Sequence, residues 1–497
     1  MNSVRRLDVF LLAVLFAASL ALRLWLVLPT GFDGLYGQDA YAYYNFAQNL
    51  QAFVSTGQSP GAFFWPLGYP SLLAVNLAIF GTQAAVAQAV SLISGALLTP
   101  LVYILARQFR VSRPSAIIAA TLMTVSAQAL QSSAVIMTDV PALAWAVISA
   151  VTLGHYRNND KQHWLLISAA TLTLAGLSRW IYLILALPWA VVVLFMWERR
   201  IRWRETMLTG ITVIGLFIPQ MIFSRTNPFP SLDNTYVLNW SPMLAFRREF
   251  INPDGHFVYN LPNALFYAKP FYDTHYLAPL FTPFIIIGLL TLLRSKRYAT
   301  LVWLGGWASL PYVFLVGIII QNIRFPLIVF PAVVILVAIG FDTLHRWSQQ
   351  GANTKSISRY AVTATLAMTF AVGTGMMFIR GRDVVRTFIA THQQDKRIAA
   401  WARDMIPPGA DVYTFGLTLT LQEYTPLNVH EMYYETPQTL TDNWIANDDD
   451  YLLIDVANIE SQWAGREPQI AYHWLRDNRG LTEIGRYGAY TLFRVAG

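Results

Sequence analysis

Long uninterrupted apolar runs are the feature that most limits what this chain can fold into. A helix crosses a bilayer core of about 30 Å with about 20 consecutive apolar residues, and such runs recur along the sequence. Only 13% of the 497 residues are charged, against about 25% in soluble domains. The sequence therefore predicts an all-α polytopic membrane bundle, and run length alone excludes a soluble core for most of the chain.

Eleven of these runs are interpreted as transmembrane spans. The first starts like a signal peptide, but its apolar stretch continues past Leu28, carries Arg23 and lacks a small-residue cleavage site, so we interpret it as a retained helix. The predicted spans are 7–28, 82–106, 114–131, 133–154, 163–178, 181–197, 206–223, 277–293, 299–319, 323–344 and 359–379.

The distribution of Lys and Arg orients the spans. If the N-terminus is cytoplasmic, the inner connecting segments hold seventeen basic residues, whereas the outer ones before the tail hold six over longer loops. Residues 29–66 of the first outer loop contain neither Lys nor Arg. This bias is the positive-inside pattern. It predicts a multi-pass protein of the cell (plasma) membrane with a cytoplasmic N-terminus and, because eleven is odd, an outer C-terminal tail.

The tail differs in composition from the rest of the chain. ADVYTF and DYLLIDV are typical of buried strands, DKRIAAWARDM of an amphipathic helix, and LTEIGRYGAYTLFRV of a closing hairpin. We predict a transmembrane catalytic module over residues 1–380 and an extracytoplasmic α/β domain over residues 381–497.

Two outer loops, residues 29–80 and 224–276, are too long to be simple connections. We predict that both contain helices lying in the membrane interface or partly re-entrant. In the first loop one helical face would hold Ala40, Tyr43, Tyr44, Ala47 and Val54.

Two aspartates are the candidate catalytic residues. Asp39, in YGQDAYAYYNFA, could cap a helix or act as a general base, and the two roles are compatible because a helix N-terminus stabilises an ionised carboxylate. Asp139, in MTDVPALAW, lies inside an apolar run, where an Asp costs about 3 kcal/mol to insert. It is either functional or a cap at a kink before Pro141. The charge-derived topology puts both aspartates on the outer side.

Two arginines stand alone at predicted outer helix ends and are candidates for binding a phosphate. The planar guanidinium of Arg324, in QNIRFPLIVFP, suits that role, which we favour over an arginine reaching to lipid headgroups. For Arg179, in GLSRWIYL, both hypotheses stay open.

The outer loops also supply candidate substrate-lining residues, which are Tyr41, Tyr44, Tyr69, His256 and Lys269. Metal-ligand spacing is missing at His256 and His275, and HEMYY at His430 lacks the second histidine of the zinc-protease pattern. The chain also has no cysteine. If a divalent cation binds, Asp39 and Asp139 are the candidate ligands.

Taken in order, these motifs resemble the GT-C fold glycosyltransferases, in particular the superfamily of protein O-mannosyltransferases and lipid A aminoarabinose transferases. The resemblance covers residues 1–345. It rests on YGQDAYAYYNFA, FWPLGYPSLLA, MTDVPALAW, GLSRW and IRFPLIVFP. The family's Asp-Glu pair is here Asp39-Ala40, one of its paired prolines is replaced by Leu67, and a WWD-type oligosaccharyltransferase signature is missing.

The resemblance implies an inverting transfer of a sugar from a polyprenyl-phosphate donor to a hydroxyl of a protein, lipid or glycan. Asp39 would deprotonate the acceptor, Asp139 would orient it or assist a metal, and Arg324 would hold the donor phosphate. The alternative is a transporter or flippase for a lipid-linked saccharide. Transporters place polar sites near the bilayer midplane, often in repeated halves, whereas here the charged residues lie near span ends.

Overall fold

The computed structural model describes residues 2–197, 201–227, 238–350, 356–443 and 450–495, and most of these residues are helical. After Ser178 the chain passes through a 3-10 segment (Trp180–Leu185), a short helix (Ala186–Val191) and a π-helical turn (Val192–Met196). The helices before the C-terminal sheet are α1 (Asn2–Val27), α2 (Asp39–Thr56), α3 (Gly68–Phe80), α4 (Ala84–Gln108), α5 (Arg113–Val125), α6 (Ala127–Ser133), α7 (Asp139–Asn159), α8 (Gln162–Ser178), α9 (Ala186–Val191), α10 (Trp203–Thr226), α11 (Asn263–Tyr267), α12 (Thr282–Arg294), α13 (Tyr298–Val316), α14 (Phe330–Gln350) and α15 (Ser356–Met405).

Several of these helices suit a membrane environment. Shorter apolar helices accompany the long ones, for example Arg113–Val125 and Pro279–Arg294. The chain is a multi-pass membrane protein, as its apolar runs predicted. The helical segments long and apolar enough to cross a bilayer are Leu7–Thr30, Ala84–Gln108, Trp203–Thr226, Tyr298–Val316, Phe325–Gln349 and Tyr360–Met405.

Helix α14 forms the centre of the bundle. It contacts α5, α12, α13 and α15. In the most apolar 18-residue stretch of Phe325–Gln349, 89% of the residues are buried inside the protein, against 6% in the corresponding stretch of α10. A helix that is apolar all round belongs inside a bundle or in lipid. The same kind of sequence thus gives a central helix at α14 and a peripheral one at α10.

Two glycines let α12 and α14 cross closely. A Cβ atom added to Gly288 would overlap the carbonyl oxygen of Leu336, and one added to Gly340 would overlap the carbonyl oxygen of Phe284. Because the obstacle is backbone in both cases, it cannot rotate away. Small residues at such crossings allow close packing of helix backbones inside membranes.

The third predicted span, residues 114–131, is broken at Ser126. This residue ends α5 and precedes α6 with a non-helical backbone (φ −58°, ψ 126°). Gly381 of α15 packs at the break, where an added Cβ would lie 3.1 Å from the carbonyl oxygen of Val125 and 3.6 Å from Cα of Ala127. A tertiary contact thus occupies the interruption, and the sequence-based span did not predict it.

The last helix before the C-terminal sheet is longer than predicted. Helix α15 has 50 residues, so the predicted span 359–379 and the predicted amphipathic helix DKRIAAWARDM are parts of one continuous element. At 1.5 Å per residue it extends about 75 Å, more than twice a bilayer core. The division at residue 380 falls within this helix, and the domain boundary stays a prediction.

A small sheet domain follows α15. The five-stranded sheet has the order β4-β3-β5-β7-β6, and strands β1 (Glu249–Asn252) and β2 (Gly255–Val258) form a separate hairpin earlier in the chain. Strands β3, β4 and β5 are parallel, and β7 joins antiparallel to both β5 and β6. The elements are β3 (Asp411–Thr414), α16 (Thr418–Tyr424), β4 (Asn428–Glu431), α17 (Pro437–Asn443), β5 (Asp450–Ile454), α18 (Val456–Ser461), α19 (Glu467–Asn478), β6 (Leu481–Tyr487) and β7 (Tyr490–Val495).

The first long loop contains the two predicted helices, α2 and α3. Ala40, Tyr43, Tyr44 and Ala47, predicted to share one face of α2, are buried. Val54, on the same face near the end of the helix, has an 85% exposed side chain. The last turn of α2 therefore extends away from the packed face.

The second long loop differs from its prediction as interfacial helices. Residues 238–276 of this loop contain the antiparallel strands β1 (Glu249–Asn252) and β2 (Gly255–Val258) besides short helical segments. Its NPDG turn explains the hairpin, because Pro favours the second turn position and Gly the fourth. Gly255 has a φ of +119°. Residues 228–237 of this predicted loop lie outside the described residues.

Candidate active site

Asp39 lies at the start of α2, immediately after the irregular first part of the first loop. The buried tyrosines of α2 anchor the helix in a core that also includes Leu73 of α3 and Ile136. The Asp39 side chain itself is 38% exposed. This exposure leaves the carboxylate accessible to a substrate.

Asp139 is the first residue of α7, and its side chain is only 2% exposed. The preceding Thr138 donates a hydrogen bond to the carbonyl oxygen of Ser178 at 2.8 Å, and Tyr182 donates to the carbonyl oxygen of Asp139 at 3.2 Å. These bonds fix the start of α7 against the end of α8. The Asp139 carboxylate forms an ion pair with Arg179, the residue that follows α8.

Arg324 connects the two aspartates. Its Nη2 lies 3.2 Å from Oδ2 of Asp39, and its Nη1 lies 3.8 Å from Oδ2 of Asp139. Nη1 also donates to the hydroxyl of Tyr36 at 3.1 Å. The backbone N–H and Nε of Arg324 both donate to Oδ1 of Asn322, at 3.0 and 3.3 Å. A guanidinium can hold this geometry because it offers five donors in one plane.

The candidate site therefore combines two carboxylates with two guanidiniums. The Arg179 guanidinium also lies 4.7 Å from the centroid of the Phe325 ring, so an aromatic side chain packs on it beside Arg324. Among the described residues, Oδ2 of Asp139 lacks a hydrogen-bond partner and has only the longer ionic contact to Arg324. Such buried charges are stabilised by their pairing, and removing one partner costs several kcal/mol.

The predicted substrate-lining tyrosines are in the core of the first loop. Tyr41, Tyr44 and Tyr69 are all at least 96% buried. Tyr69 contacts the hydroxyl of Ser91 at 3.3 Å, and Tyr44 donates to the carbonyl oxygen of Thr82. In this placement they support α2 and α3 rather than face an open surface. Their role toward a substrate stays a prediction.

The two predicted substrate-lining residues of the second loop have other neighbours. His256 Nε2 is 2.8 Å from Oε1 of Glu249 in the β1–β2 hairpin. The ammonium of Lys269 lies 4.8 Å from the centroid of the Phe266 ring. Among the described contacts, neither residue joins the ion-pair cluster around Arg324.

Tyr36 and Asn322 are site residues that the sequence-based prediction missed. Each lies within three residues of a predicted residue, Tyr36 before Asp39 and Asn322 before Arg324, so the motifs themselves contained the signal. Burial raises the pKa of Tyr36 above its ordinary value. Its hydroxyl therefore stays protonated and can donate a hydrogen bond while it accepts one from Arg324.

The donor set at this site does not fit a bound cation well. Both candidate ligands, Asp39 and Asp139, are already paired with guanidiniums. The described part of the chain contains no cluster of three or more His, Asp or Glu side chains that could hold a metal ion. A cation placed between the carboxylates would also be repelled by Arg179 and Arg324. The residues at this site therefore do not favour a metal-assisted reaction.

Comparison with known proteins agrees with this architecture. Residues 69–227 match the family model of dolichyl-phosphate-mannose-protein mannosyltransferase, whereas no curated protein matches. ArnT from Cupriavidus metallidurans in the apo state aligns with a TM-score of 0.61 at 13% identity, covering 99% of this chain and 98% of that chain. The same protein bound to undecaprenyl phosphate aligns with a TM-score of 0.61 at 12% identity and the same coverage. An oligosaccharyltransferase from Archaeoglobus fulgidus gives 0.56 at 12% identity, covering 97% of this chain and 73% of that chain.

These likenesses define the class of the fold: the chain is a membrane protein with the GT-C glycosyltransferase fold, and the resemblance seen in its motifs is confirmed. Within that class, its residues 69–227 match the protein mannosyltransferase family.

Proposed function

We propose that this protein is an inverting glycosyltransferase. It moves a sugar from a polyprenyl-phosphate donor to a hydroxyl of a protein, lipid or glycan at the outer face of the cell membrane. The observation that carries the proposal is the position of Arg324, whose guanidinium is 3.2 Å from Asp39 and 3.8 Å from Asp139. This arrangement combines an accessible carboxylate with cations suited to a phosphate leaving group.

Asp39 would act as the general base. The acceptor oxygen attacks C1 of the sugar, the bond between C1 and the phosphate oxygen breaks, and the acceptor proton passes to the Asp39 carboxylate. Attack from the face opposite the leaving group inverts the configuration at C1. The exposure of Asp39 supports this role, since a base must come within hydrogen-bond distance of the acceptor.

Arg324 and Arg179 would hold the donor phosphate and stabilise the charge that it gains as the bond breaks. Their side chains are 16% and 21% exposed, so each remains partly accessible to a ligand. Asp139 is almost fully buried, so we propose that it orients the two guanidiniums as their counter-ion. That role replaces the acceptor and metal roles implied by the family resemblance.

We further propose eleven membrane spans, with the N-terminus in the cytoplasm and the sheet domain outside. The Lys and Arg bias between connecting segments supports this orientation. The chain has no cysteine, so single cysteines report topology without interference. A cysteine at Ala390 should react with a membrane-impermeant maleimide in intact cells, and one at Lys296 only after permeabilisation. The reverse pattern would contradict the orientation.

The nature of the donor is supported by fold relatives. An ArnT structure was solved with undecaprenyl phosphate, and the matching family model is described by a dolichyl-phosphate-linked sugar. Both names contain a polyprenyl phosphate. Such a carrier also answers a physical need, because an activated sugar attached to a lipid brings its phosphate to headgroup depth.

A flippase for a lipid-linked saccharide is the alternative to be tested. Transport sites lie near the bilayer midplane. In α1, Arg23 is a buried cation that donates to Ser19 and Ser133, but its side chain is 1% exposed and lies about one turn from the end of α1. A group enclosed in this way lacks the access that a transported headgroup needs.

The test uses purified protein, polyprenyl-phosphate sugars labelled in the sugar, and membrane extract as the source of acceptor. A glycosyltransferase releases polyprenyl phosphate in step with labelled product, and that product has the inverted anomeric configuration. Movement of intact donor between leaflets of proteoliposomes, without cleavage of the C1–O bond, would instead support the flippase. Retention of configuration would contradict the proposed single displacement.

A further inference from the structure

The C-terminal part of the chain holds the first loop at the turn that precedes α2. Nε2 of Gln393 donates to the carbonyl oxygen of Thr30 at 2.6 Å. The Asp33 carboxylate accepts from Nζ of Lys396 at 2.5 Å and from the hydroxyl of Tyr424 at 2.7 Å. The ammonium of Lys396 also lies 4.6 Å from the centroid of the Tyr424 ring. One carboxylate of the loop is thus bound from α15 and from α16 together.

Aromatic packing continues this contact to the candidate site. The ring centroid of Tyr36 lies 4.9 Å from that of Phe388 and 4.8 Å from that of His392, both on α15. Phe388 also packs edge-on against Phe32, at 6.2 Å. Because the hydroxyl of Tyr36 accepts from Arg324 at 3.1 Å, α15 contacts a residue that directly contacts the phosphate-binding candidate.

A second contact reaches α2 itself. Tyr41, two residues after Asp39, lies beside Thr420 and Tyr424 of α16. Its ring is buried in the same apolar cluster that includes Ile389 of α15. The first turn of α2 therefore packs against the sheet domain on one side while it presents Asp39 to Arg324 on the other.

The loop needs such support because it has little regular structure of its own. Between Gly31 and Gln38 the chain forms neither helix nor strand. Gly31, Gly34 and Gly37 have φ values of +65°, +87° and +53°, and glycine loses more conformational entropy on ordering than any other residue. Contacts from outside the loop must offset that loss.

We propose that Asp33, Lys396 and Tyr424 form a clamp through which the C-terminal domain positions Asp39 and Tyr36 for transfer. They are positioning residues, since they act through the first loop rather than on the substrate. This inference rests on the proposed function, and it gives the sheet domain a part in catalysis. A displacement of about 1 Å at a reacting group can cost about 100-fold in rate.

The competing explanation is an ordinary contact between domains that adds only stability. The two explanations predict different kinetics. Loss of stability lowers the amount of folded enzyme, but the enzyme that stays folded keeps its kcat, its Michaelis constant and the position of α2. A misplaced base lowers kcat of the folded enzyme. Donor affinity should change little, because Asn322 orients Arg324 independently of the clamp.

The kinetic test compares Lys396→Met and Tyr424→Phe with the wild-type full-length protein, each assayed on folded, monodisperse material. We expect kcat to fall about 10-fold or more, with the donor KM within about threefold. Lys396→Arg keeps the ion pair and should recover most of the rate. The control is His473→Gln, which breaks a 2.8 Å pair with Glu460 within the sheet domain. Equal kcat values in all variants would overturn the clamp.

A double variant tests whether the two charges act together. If Asp33 and Lys396 act through their contact, Asp33→Asn combined with Lys396→Met should be no slower than either single variant. Multiplied losses would show that the residues act independently and would contradict the clamp.

A distance measurement tests the clamp without an assay of sugar transfer. Spin labels at Ala52→Cys on α2 and Ala390→Cys on α15, both exposed sites in a cysteine-free chain, report the position of α2 relative to α15. We expect a narrow distance distribution that broadens in Lys396→Met and stays narrow in His473→Gln. An unchanged distribution in Lys396→Met would overturn the clamp. If wild-type protein shows no sugar transfer, the proposed function fails, and this measurement still tests the clamp.

Discussion

Nη2 of Arg324 lies 3.2 Å from Oδ2 of Asp39, although 285 residues separate the two in the chain. The proposed base is therefore paired with the cation proposed to hold the leaving phosphate. A donor phosphate that binds Arg324 competes with Asp39 for the same guanidinium. Donor binding would then weaken this ion pair and leave the carboxylate free to accept a proton from the acceptor.

Replacement of Arg324 by Lys should impair donor use although the charge is kept. An ammonium is a point charge and cannot contact Asp39, Tyr36 and Asp139 in one plane as a guanidinium does. We expect kcat/KM for the donor to fall at least about 10-fold. Steady-state assays with varied polyprenyl-phosphate sugar measure this.

The matched control for that variant is Arg113→Lys. Arg113 binds both carboxylate oxygens of Asp8, at 2.9 and 3.2 Å. Asp8 lies near the start of α1, whereas the first loop follows the end of this helix. The same change there should leave kcat/KM within about twofold. Equal losses in the two variants would mean that Arg324 contributes only to folding.

Replacement of Asp139 by Asn should destabilise the protein as well as inactivate it. The change leaves Arg179 without its buried counter-ion, and breaking a buried pair in this way costs about 3–5 kcal/mol. We expect a lower melting temperature in detergent and weaker donor binding. A variant with wild-type stability and wild-type donor binding would contradict the counter-ion role.

Replacement of Gly340 by Ala should push α12 and α14 apart. The added Cβ would overlap the carbonyl oxygen of Phe284, and such overpacking costs about 1–3 kcal/mol. Gly305→Ala is the control, because nothing lies within 4 Å of a Cβ there and Ala favours a helix over Gly by about 1 kcal/mol. Thermal melts should move in opposite directions, and parallel shifts would contradict the close crossing.

Stability should fall in mild acid because of His275. Burial lowers the pKa of this side chain to about 4, and its Nε2 is 2.9 Å from Oε1 of Gln128. The unfolded chain takes up a proton below a pH of about 6.5, whereas the folded protein does so only near pH 4. The contribution of His275 to the free energy of unfolding is thus complete above about pH 6.5, and it is lost as the pH falls from about 6.5 to about 4.

The measurement is the melting temperature between pH 7 and pH 5 for wild type and His275→Gln. The variant should lose part of the pH dependence, since Gln does not titrate. If both proteins show the same slope, His275 is not the group responsible.

How far the sequence could predict this structure depends on the kind of interaction involved. Apolar run length predicted the bundle, and strand patterning predicted β3, β5 and the β6–β7 hairpin, because both follow from local periodicity. The charge bias predicted that Asp39 and Arg324 lie on the same side of the membrane. It could not show that Arg324 lies between two carboxylates, since that depends on how distant helix ends pack.

The elements that sequence analysis missed are those decided by tertiary contacts. The break at Ser126 is occupied by Gly381, which lies 255 positions further along the chain. The β1–β2 hairpin is only four residues per strand, too short for its alternation to stand out. The burial of Tyr41, Tyr44 and Tyr69 also depends on how the loop packs, which local sequence patterns do not show.

The most direct test of the catalytic proposal is the rate of sugar transfer by Asp39→Asn at saturating donor. Asn is nearly the same size but cannot accept the acceptor's proton, and a general base contributes about 100- to 10,000-fold. We predict a loss in that range with the fold intact, while Asp8→Asn, which breaks the Asp8–Arg113 pair, keeps nearly wild-type activity. Transfer by Asp39→Asn at the wild-type rate would contradict the assignment of Asp39 as the base.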